Sequence, residues 1–375
     1  MSSPALRFKE FDENWNVEVL GNIVQIKSGY SPSKYELHEN GEIPFLKVEE
    51  LNNSNKYQEY SRFYTETCAD VIPKKSVIFP KRGAAILNNK VRILKVDSLL
   101  DSNLMALIPQ NTLDAEYLYY LINKVELYKI ADTSTIPQIN NKHIEPYEIH
   151  LPSKAEQTKI ASFLSAVDEK ISQLTQKHEL LSQYKQGMMQ RLFSQQLRFK
   201  ADDGSEFGEW EEIALGKIKG VSIASGKSSH EKLELAKYYY YGSTGVIGYS
   251  NEYDYQGTRI LIARVGHNAG YIYMVSGQYN VSDNTLILEL PSNLDYIFIR
   301  AFLEKFQLNK LVFGTGQPLI TGSLLKKVVI QVPCLEEQTK IANFLSAIDQ
   351  KIEVVAEQIE QAKIWKKGLL QQMFI

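Results

Sequence analysis

Lys81-Arg82-Gly83 and Arg264-Val265-Gly266-His267-Asn268 each follow an apolar run and each contain a glycine. Arginine can pair with the two acceptors on the major-groove edge of guanine, and asparagine with the acceptor and donor of adenine. A glycine beside them removes the Cβ that would hold the backbone off a base edge. Lys81, Arg82, Gly83, Arg264, Gly266, His267 and Asn268 are therefore candidate contacts to nucleic acid; the alternative is a solvated strand-end loop. The run Tyr238-Tyr239-Tyr240-Tyr241-Gly242-Ser243 is a second candidate, with Tyr239, Tyr241 and Ser243 as its contacts. Alternation along a strand would bury two of the four rings. Ser28-Gly29-Tyr30 and Ser225-Gly226-Lys227 are paired turns whose backbone N–H groups could hold phosphate, with Ser28, Tyr30, Ser225 and Lys227 beside them.

No catalyst accompanies these groups in the sequence. Phe313-Gly314-Thr315-Gly316, with Glu336 twenty residues on, has the outline of a glycine-rich cofactor loop. It follows a helical run rather than a strand, and its counterpart, Asp132-Thr133-Ser134-Thr135, has no glycine. Glu234-Leu235-Ala236-Lys237 has the spacing of a nuclease motif without a second carboxylate on a plausible partner strand. His38, His143, His150, His178, His230 and His267 lie apart and suggest neither a metal site nor a triad. The chain contains no Pro-Pro pair, which excludes the Asn/Asp-Pro-Pro-aromatic tetrad expected of a base-flipping adenine methyltransferase. Cys68 and Cys334 make no disulfide framework and no metal spacing, which fits a reducing, cytoplasmic setting. The first residues lack the apolar core of a signal peptide, and no run approaches a membrane span.

The elements that must position these groups occur twice. Residues 156–171, EQTKIASFLSAVDEKI, return at 337–352 as EQTKIANFLSAIDQKI, with thirteen of sixteen positions identical at an offset of 181. Over 151–193 and 332–374 the match is nineteen of forty-three without a gap. Upstream the offset slides. Trp15 and Leu20-Gly21 match Trp210 and Leu215-Gly216 at 195, SVIFPKRG (76–83) matches RILIARVG (259–266) at 183, and Ser102-Asn103 matches Asp283-Asn284 at 181. The first copy therefore carries some twelve extra residues, placed between Tyr30 and Asp70. Short strands are predicted at IPFLKV (43–48), SVIFPKRG and VRILKV (91–96), a helix over 115–130, and a last strand in EPYEIHL. The resulting plan is a globule at 1–152, a long helix at 153–196, a second globule at 197–333 and a second long helix at 334–375.

The long helices carry an unbroken 4-3 spacing of seam positions. Ile160, Leu164, Val167, Ile171, Leu174 and Leu181 are among its apolar members in the first copy, and Ile341, Leu345, Ile348, Ile352, Val355 and Ile359 in the second. Such a repeat predicts a coiled-coil seam. Lys185 and Lys366 fall at matching seam positions, where a polar residue fixes register. Ser153 with Glu156 reads as a capping box, and Cys334 in place of the cap predicts a weaker start for the second helix. Some forty residues at about 1.5 Å each make a rod of roughly 60 Å. The simplest partner for each helix is the other copy, antiparallel, holding the globules apart. The fold class expected is α+β: two tandem mixed α/β globules separated by two long α-helices packed as an antiparallel coiled coil, an internal pseudo-two-fold repeat.

A net charge of −2, with 44% hydrophobic and 23% charged residues, argues against a protein that coats nucleic acid nonspecifically, but not against a reader with basic residues on one face. The 22 tyrosines suit a recognition surface, although strand cores would absorb most of them.

With these features the chain resembles the specificity (S) subunit of type I restriction-modification systems. The resemblance spans essentially the whole sequence. It rests on Trp-x₄-Leu-Gly near the start of each globule, on the strand ends at KRG and ARVG, and on a repeated motif at the start of each long helix. That motif is Pro152/Gln157/Ile160/Phe163-Leu164 and Pro333/Gln338/Ile341/Phe344-Leu345. The resemblance implies two target-recognition domains that each read half of a bipartite site in double-stranded DNA, with the helical pair as a ruler for the unread spacer. It further implies two methyltransferase (M) subunits docked on this scaffold, restriction/motor (R) subunits beside them, and no catalysis by this chain. S-adenosylmethionine, ATP and Mg would then belong to those partners, and no cofactor to this chain. The base contacts named above rest on side-chain chemistry alone. A different class remains open from the residues themselves: a coiled-coil adaptor whose paired globules bind protein or glycan.

Overall fold

The computed structural model describes residues 3–66, 69–311 and 318–375. Phe313-Gly314-Thr315-Gly316 and Cys68 lie outside the described residues. The chain divides into two compact units, Met1–Thr175 with Glu357–Ile375, and Gln176–Ala356.

In the first unit, strand Asn16–Val19 pairs antiparallel with Glu148–Leu151, the strand that leads into the first long helix. Between them lies a five-stranded sheet in the order Val24–Ser28, Leu104–Pro109, Val77–Pro80, Arg92–Leu94, Tyr57–Gln58. A three-stranded sheet follows the order Tyr64–Thr65, Ile43–Leu46, Leu99–Leu100. Val77–Pro80 is apolar throughout and buried on both faces, as a central strand must be, and it delivers the chain directly to Lys81. The helix Ala115–Val125 starts at Asp114, whose carboxylate accepts the Glu116 and Tyr117 N–H groups at 2.9 and 3.0 Å. The sequence predicts this helix to residue 130. It stops at Val125 because Glu126 takes a φ of +60° and the Asn89 side-chain oxygen accepts the Leu127 N–H, after which Leu127–Lys129 make a single 3₁₀ turn.

The second unit has the same plan. Glu211–Ala214 pairs with Val329–Val332, and a four-stranded sheet runs Ser222–Ser225, Thr285–Glu289, Arg259–Ala263, Ile272–Val275. A second sheet runs Gly245–Ser250, Tyr238–Gly242, Gln278–Val281, Tyr255–Gln256. Asp295 caps the helix Tyr296–Phe306 as Asp114 caps its counterpart. After Ile43–Leu46 the first copy has a 3₁₀ segment, Val48–Asn53; after Tyr238–Gly242 the second has a hairpin turn at Gly245, whose φ of +117° suits only glycine.

The long helices are Lys154–Phe193 and Leu335–Met373. In the first unit Ile160, Leu164 and Val167 share a core with Leu369, Met373 and Phe374. In the second, Met189, Leu192 and Phe193 share one with Ile341 and Leu345. The start of each helix thus packs against the end of the other, an antiparallel coiled coil. Ile160, Leu164, Val167, Leu174, Ile341, Leu345, Ile348, Val355 and Ile359 are buried, and Ile171, Leu181 and Ile352 half-buried. The two seam lysines are answered by aspartates at equivalent places: Lys366 meets Asp168 at 2.5 Å, and Lys185 meets Asp349 at 2.6 Å.

The first turn of each long helix is also a joint. Gln157, 1% exposed, accepts the Asp114 N–H at 2.8 Å and donates to Thr112 O and Pro152 O, both at 3.0 Å. Gln338 repeats this on Asp295 N–H, Asn293 O and Pro333 O. The glutamine of the Pro-x₄-Gln motif therefore fastens the capped end of a globule helix to the long helix. The expected capping box is only half formed. Ser153 Oγ accepts the Glu156 N–H at 3.4 Å, but the Glu156 carboxylate turns away to accept Arg7 Nε and Nη2 at 2.7 and 2.8 Å and Trp15 Nε1 at 3.2 Å. Glu337 binds Arg198 and Trp210 in the same way. With these anchors the second helix does not retract at Cys334: Lys154 and Leu335, the two starting residues, are equivalent.

Candidate nucleic-acid interface

The strand-end stretches occupy matching places in the two units, and both are clamped from two sides. Lys81 N–H donates to Asn103 O at 2.8 Å and Lys81 O accepts Ile139 N–H at 2.9 Å, while Gly83 N–H donates to Pro137 O at 2.8 Å. In the second unit Arg264 N–H donates to Asn284 O at 3.0 Å, Arg264 O accepts Ile320 N–H at 2.8 Å, and Gly266 N–H donates to Pro318 O at 3.1 Å. Gly83 and Gly266 have φ of +82° and +76°, with no atom within 4 Å of the place a Cβ would take. They serve the turn, and the space beside them is open.

The paired turns meet the strand-end cations. Lys81 Nζ donates to Ser28 Oγ at 2.8 Å, and Arg264 Nη1 to Ser225 Oγ at 3.2 Å. Burial, reinforced by Arg82 and opposed by Asp101, holds the Lys81 ammonium below the usual lysine range. The reading of these turns as phosphate-binding backbone is corrected by the structure. Gly29 and Tyr30 N–H groups are spent on Leu104 O and Leu100 O, and those of Gly226 and Lys227 on Thr285 O and Val281 O. A Cβ on Gly29 would lie 2.1 Å from Leu100 O, and one on Gly226 2.3 Å from Ser282 O. These glycines permit close packing of two backbones, and the four backbone N–H groups are not available to an anion.

Of the four consecutive tyrosines only Tyr240 is fully buried, its hydroxyl donating to Lys227 O at 3.0 Å. A bulge between Tyr240 and Tyr241 disturbs the alternation, so that Tyr238 and Tyr241 are half-buried and Tyr239 is exposed. Ser243 Oγ donates to Asn284 O at 3.2 Å, the oxygen that also accepts the Arg264 N–H, so Ser243, Arg264 and Ser225 form one cluster. Arg82, His267 and Asn268 are exposed. Among the described residues, the His267 and Asn268 side chains have no hydrogen-bond partner. Tyr30 is exposed with the Lys34 ammonium 3.5 Å above its ring, and Lys227 is exposed. Tertiary structure gathers Lys47, Asn52 and Lys90 around Asn103 in the first unit and lines up Tyr249, Tyr271 and Tyr273 with Tyr239 and Tyr241 in the second, groupings that no sequence pattern singles out. Among the described residues no group of His, Cys, Asp and Glu could hold a metal ion, and no helix is long and apolar enough to cross a membrane.

Comparison with known proteins gives the same repeat a family. The family model for the type I restriction modification DNA specificity domain matches twice, at residues 12–183 and 208–363. A type I restriction enzyme specificity subunit of Methanocaldococcus jannaschii, MjaVIII, is 26% identical across 96% of this chain and 91% of its own length. The EcoprrI specificity subunit of Escherichia coli is 22% identical across 90% and 88%. Among solved structures, the S subunit of a type I restriction-modification system from M. genitalium superposes with a TM-score of 0.65 at 19% identity, covering 100% of this chain and 99% of the other. With both halves of the chain matched, this protein belongs to the type I restriction modification DNA specificity family.

Proposed function

We propose that this chain reads a bipartite site in double-stranded DNA, with the globules at 1–152 and 197–333 each reading one half and the two long helices at 153–196 and 334–375 setting the unread spacer. The observation that carries this reading is the repeated strand-end cluster. Two loops at equivalent places each present a cation tethered to a serine, Lys81 to Ser28 and Arg264 to Ser225, beside an open glycine turn. Arg82, His267 and Asn268 stand exposed beside them and suit base edges and phosphate oxygens. The chain is a specificity subunit and supplies recognition. Methylation and cleavage belong to partners, two methyltransferase subunits and the motor subunits, which would bring S-adenosylmethionine, ATP and Mg. The internal repeat favours this division, because two like halves, each matched by the same family model, suit two like partners. Co-expression with the neighbouring methyltransferase, followed by genome-wide mapping of methylated adenine, tests the reading. A split motif with two fixed halves is expected; a single continuous motif, or none, would overturn it.

A further inference from the structure

The two units carry different chemistry at one topological address. Leu46 pairs in parallel with Leu100, and Tyr241 with Val281, which lies 181 residues beyond Leu100; the residues that follow, Lys47 and Gly242, are therefore equivalent. By the same logic, Val77 opposite Ile93 and Ile260 opposite Met274 make Lys90 the counterpart of Tyr271, and Arg92 that of Tyr273. In the first unit, Lys47, Glu49, Asn52, Lys90, Asp101 and Asn103 line a concavity of about 380 Å³. Its carboxylates are engaged, Glu49 by Arg62 and Asp101 by the Asn103 N–H. The Lys90 ammonium rests on the Asn52 side-chain oxygen, and that of Lys47 lies 4.0 Å above the Phe63 ring.

In the second unit the same place is aromatic. Tyr249, Tyr239, Tyr241, Tyr273 and Tyr271 form a row with successive ring centroids 5.4, 5.9, 6.2 and 5.8 Å apart. The row runs from one four-stranded sheet to the other, and two of its members, Tyr239 and Tyr271, are 49% and 54% exposed. Val246, opposite Tyr241, extends the same face and is also exposed. Both surfaces run into the strand-end clusters. Asn103 O holds the Lys81 N–H, and the Tyr271 N–H donates to Asn268 O at 2.9 Å.

We propose that the two units grip their half-sites by different chemistry, Lys47 and Lys90 against phosphate in the first and the tyrosine row against thymine methyl groups and sugar carbons in the second. This rests on the DNA-reading function proposed above. Lysine contacts release condensed counterions and make binding salt-dependent, whereas ring contacts with uncharged groups do not. The test uses the full chain with its methyltransferase partner and a duplex carrying the mapped split motif, with affinity measured against salt concentration. Lys47→Ala with Lys90→Ala is expected to flatten the plot of log affinity against log salt by roughly 0.9 per lysine. Tyr239→Ala with Tyr271→Ala is expected to weaken binding several-fold at every salt concentration with the slope unchanged, and Tyr271→Ala alone, at an exposed position, to show the same sign. Tyr239→Phe with Tyr271→Phe should retain affinity. A lysine pair that leaves the slope untouched, or a tyrosine pair that alters the slope or leaves affinity unchanged, would overturn the proposal. A wild-type complex that binds the motif and a scrambled duplex alike would overturn the bipartite reading and this proposal with it.

Discussion

Glu156→Ala removes a carboxylate that is 1% exposed and accepts three hydrogen bonds, from Arg7 Nε at 2.7 Å, Arg7 Nη2 at 2.8 Å and Trp15 Nε1 at 3.2 Å. Breaking a buried ion pair from one side costs about 3–5 kcal/mol, because the remaining charge loses its partner. Arg7 is not sealed, since its side chain is 15% exposed and Nη2 also donates to Glu13 O at 2.6 Å. The cost should therefore sit at the low end, about 3 kcal/mol. It should also be local. The pair ties the segment before strand Asn16–Val19 to the long helix, and that segment has few other anchors, one being the Leu6 N–H on Gln372 O at 2.9 Å. A chain of two compact units gives no single clean melting transition, so hydrogen exchange is the better measure. Peptides covering 6–19 should exchange roughly a hundredfold faster, at about 1.4 kcal/mol per decade. Glu337→Ala, which frees Arg198 and Trp210, should do the same to 197–214 and leave 6–19 protected. Unchanged protection in 6–19 after Glu156→Ala, or equal loosening of both segments after either substitution, would refute the joint.

Arg264→Ala and Asn268→Ala should relax specificity in one half-site by about 1–3 kcal/mol and leave the other intact in a methylation-motif assay; equal weakening of both halves would make these residues structural. Insertion of one heptad at equivalent points in both long helices should change the spacer and not the half-site bases, and an unaltered spacer would sink the ruler. The fragment 1–196 should self-associate in sedimentation and read a palindrome, because a second copy would supply Asp168 to Lys185 where the intact chain supplies Asp349; a monomeric fragment would count against this. Burial raises the Glu304 carboxyl above its ordinary 4.5, against the attraction of Arg300 and Lys185. A raised acid is a penalty present above its folded pKa and absent below the unfolded one, so Glu304→Gln should be neutral to stabilising near neutrality, with the difference vanishing below about 4.5. Asn123, an amide, stands at the equivalent place in the first unit, where its Nδ2 donates to Tyr119 O; destabilisation by Glu304→Gln that persists at every pH would refute the assignment.

The architecture was legible because its signals are local or periodic. The 4-3 spacing names the seam without any partner, and the 181-residue offset pairs the halves without any coordinates. What was hidden depends on residues distant in the chain. Gln157 is visible as part of a motif, yet its partners at Thr112 and Asp114 are more than forty residues away, so its work as a joint is not. The paired glycine turns looked like anion sites because the carbonyls that consume their N–H groups, at Leu100, Leu104, Val281 and Thr285, belong to other strands. The tyrosine row is assembled from three strands and the residue just before the third, and only Tyr238–Gly242 announced itself through repetition.

The distribution of identity within the repeat now has a physical reading. It is densest over 156–171 and 337–352, where one short segment does two things at once. Glu156 and Gln157 fasten a globule to the helix, and Ile160, Leu164, Val167 and Ile171 begin the seam. Asp168 and Asp349 also lie within it, and each answers a lysine of the opposite helix. A slip of one heptad, about 10 Å along the axis, would part both lysines from their aspartates and leave two partly buried ammonium groups without those partners. Substitution here is thus constrained from both the joint and the seam, in both copies. The strand-end loops and the surfaces beside them answer only to what they touch. Lys90 in one copy stands where Tyr271 stands in the other, a difference that the proposed reading of two unlike half-sites on one fixed scaffold requires.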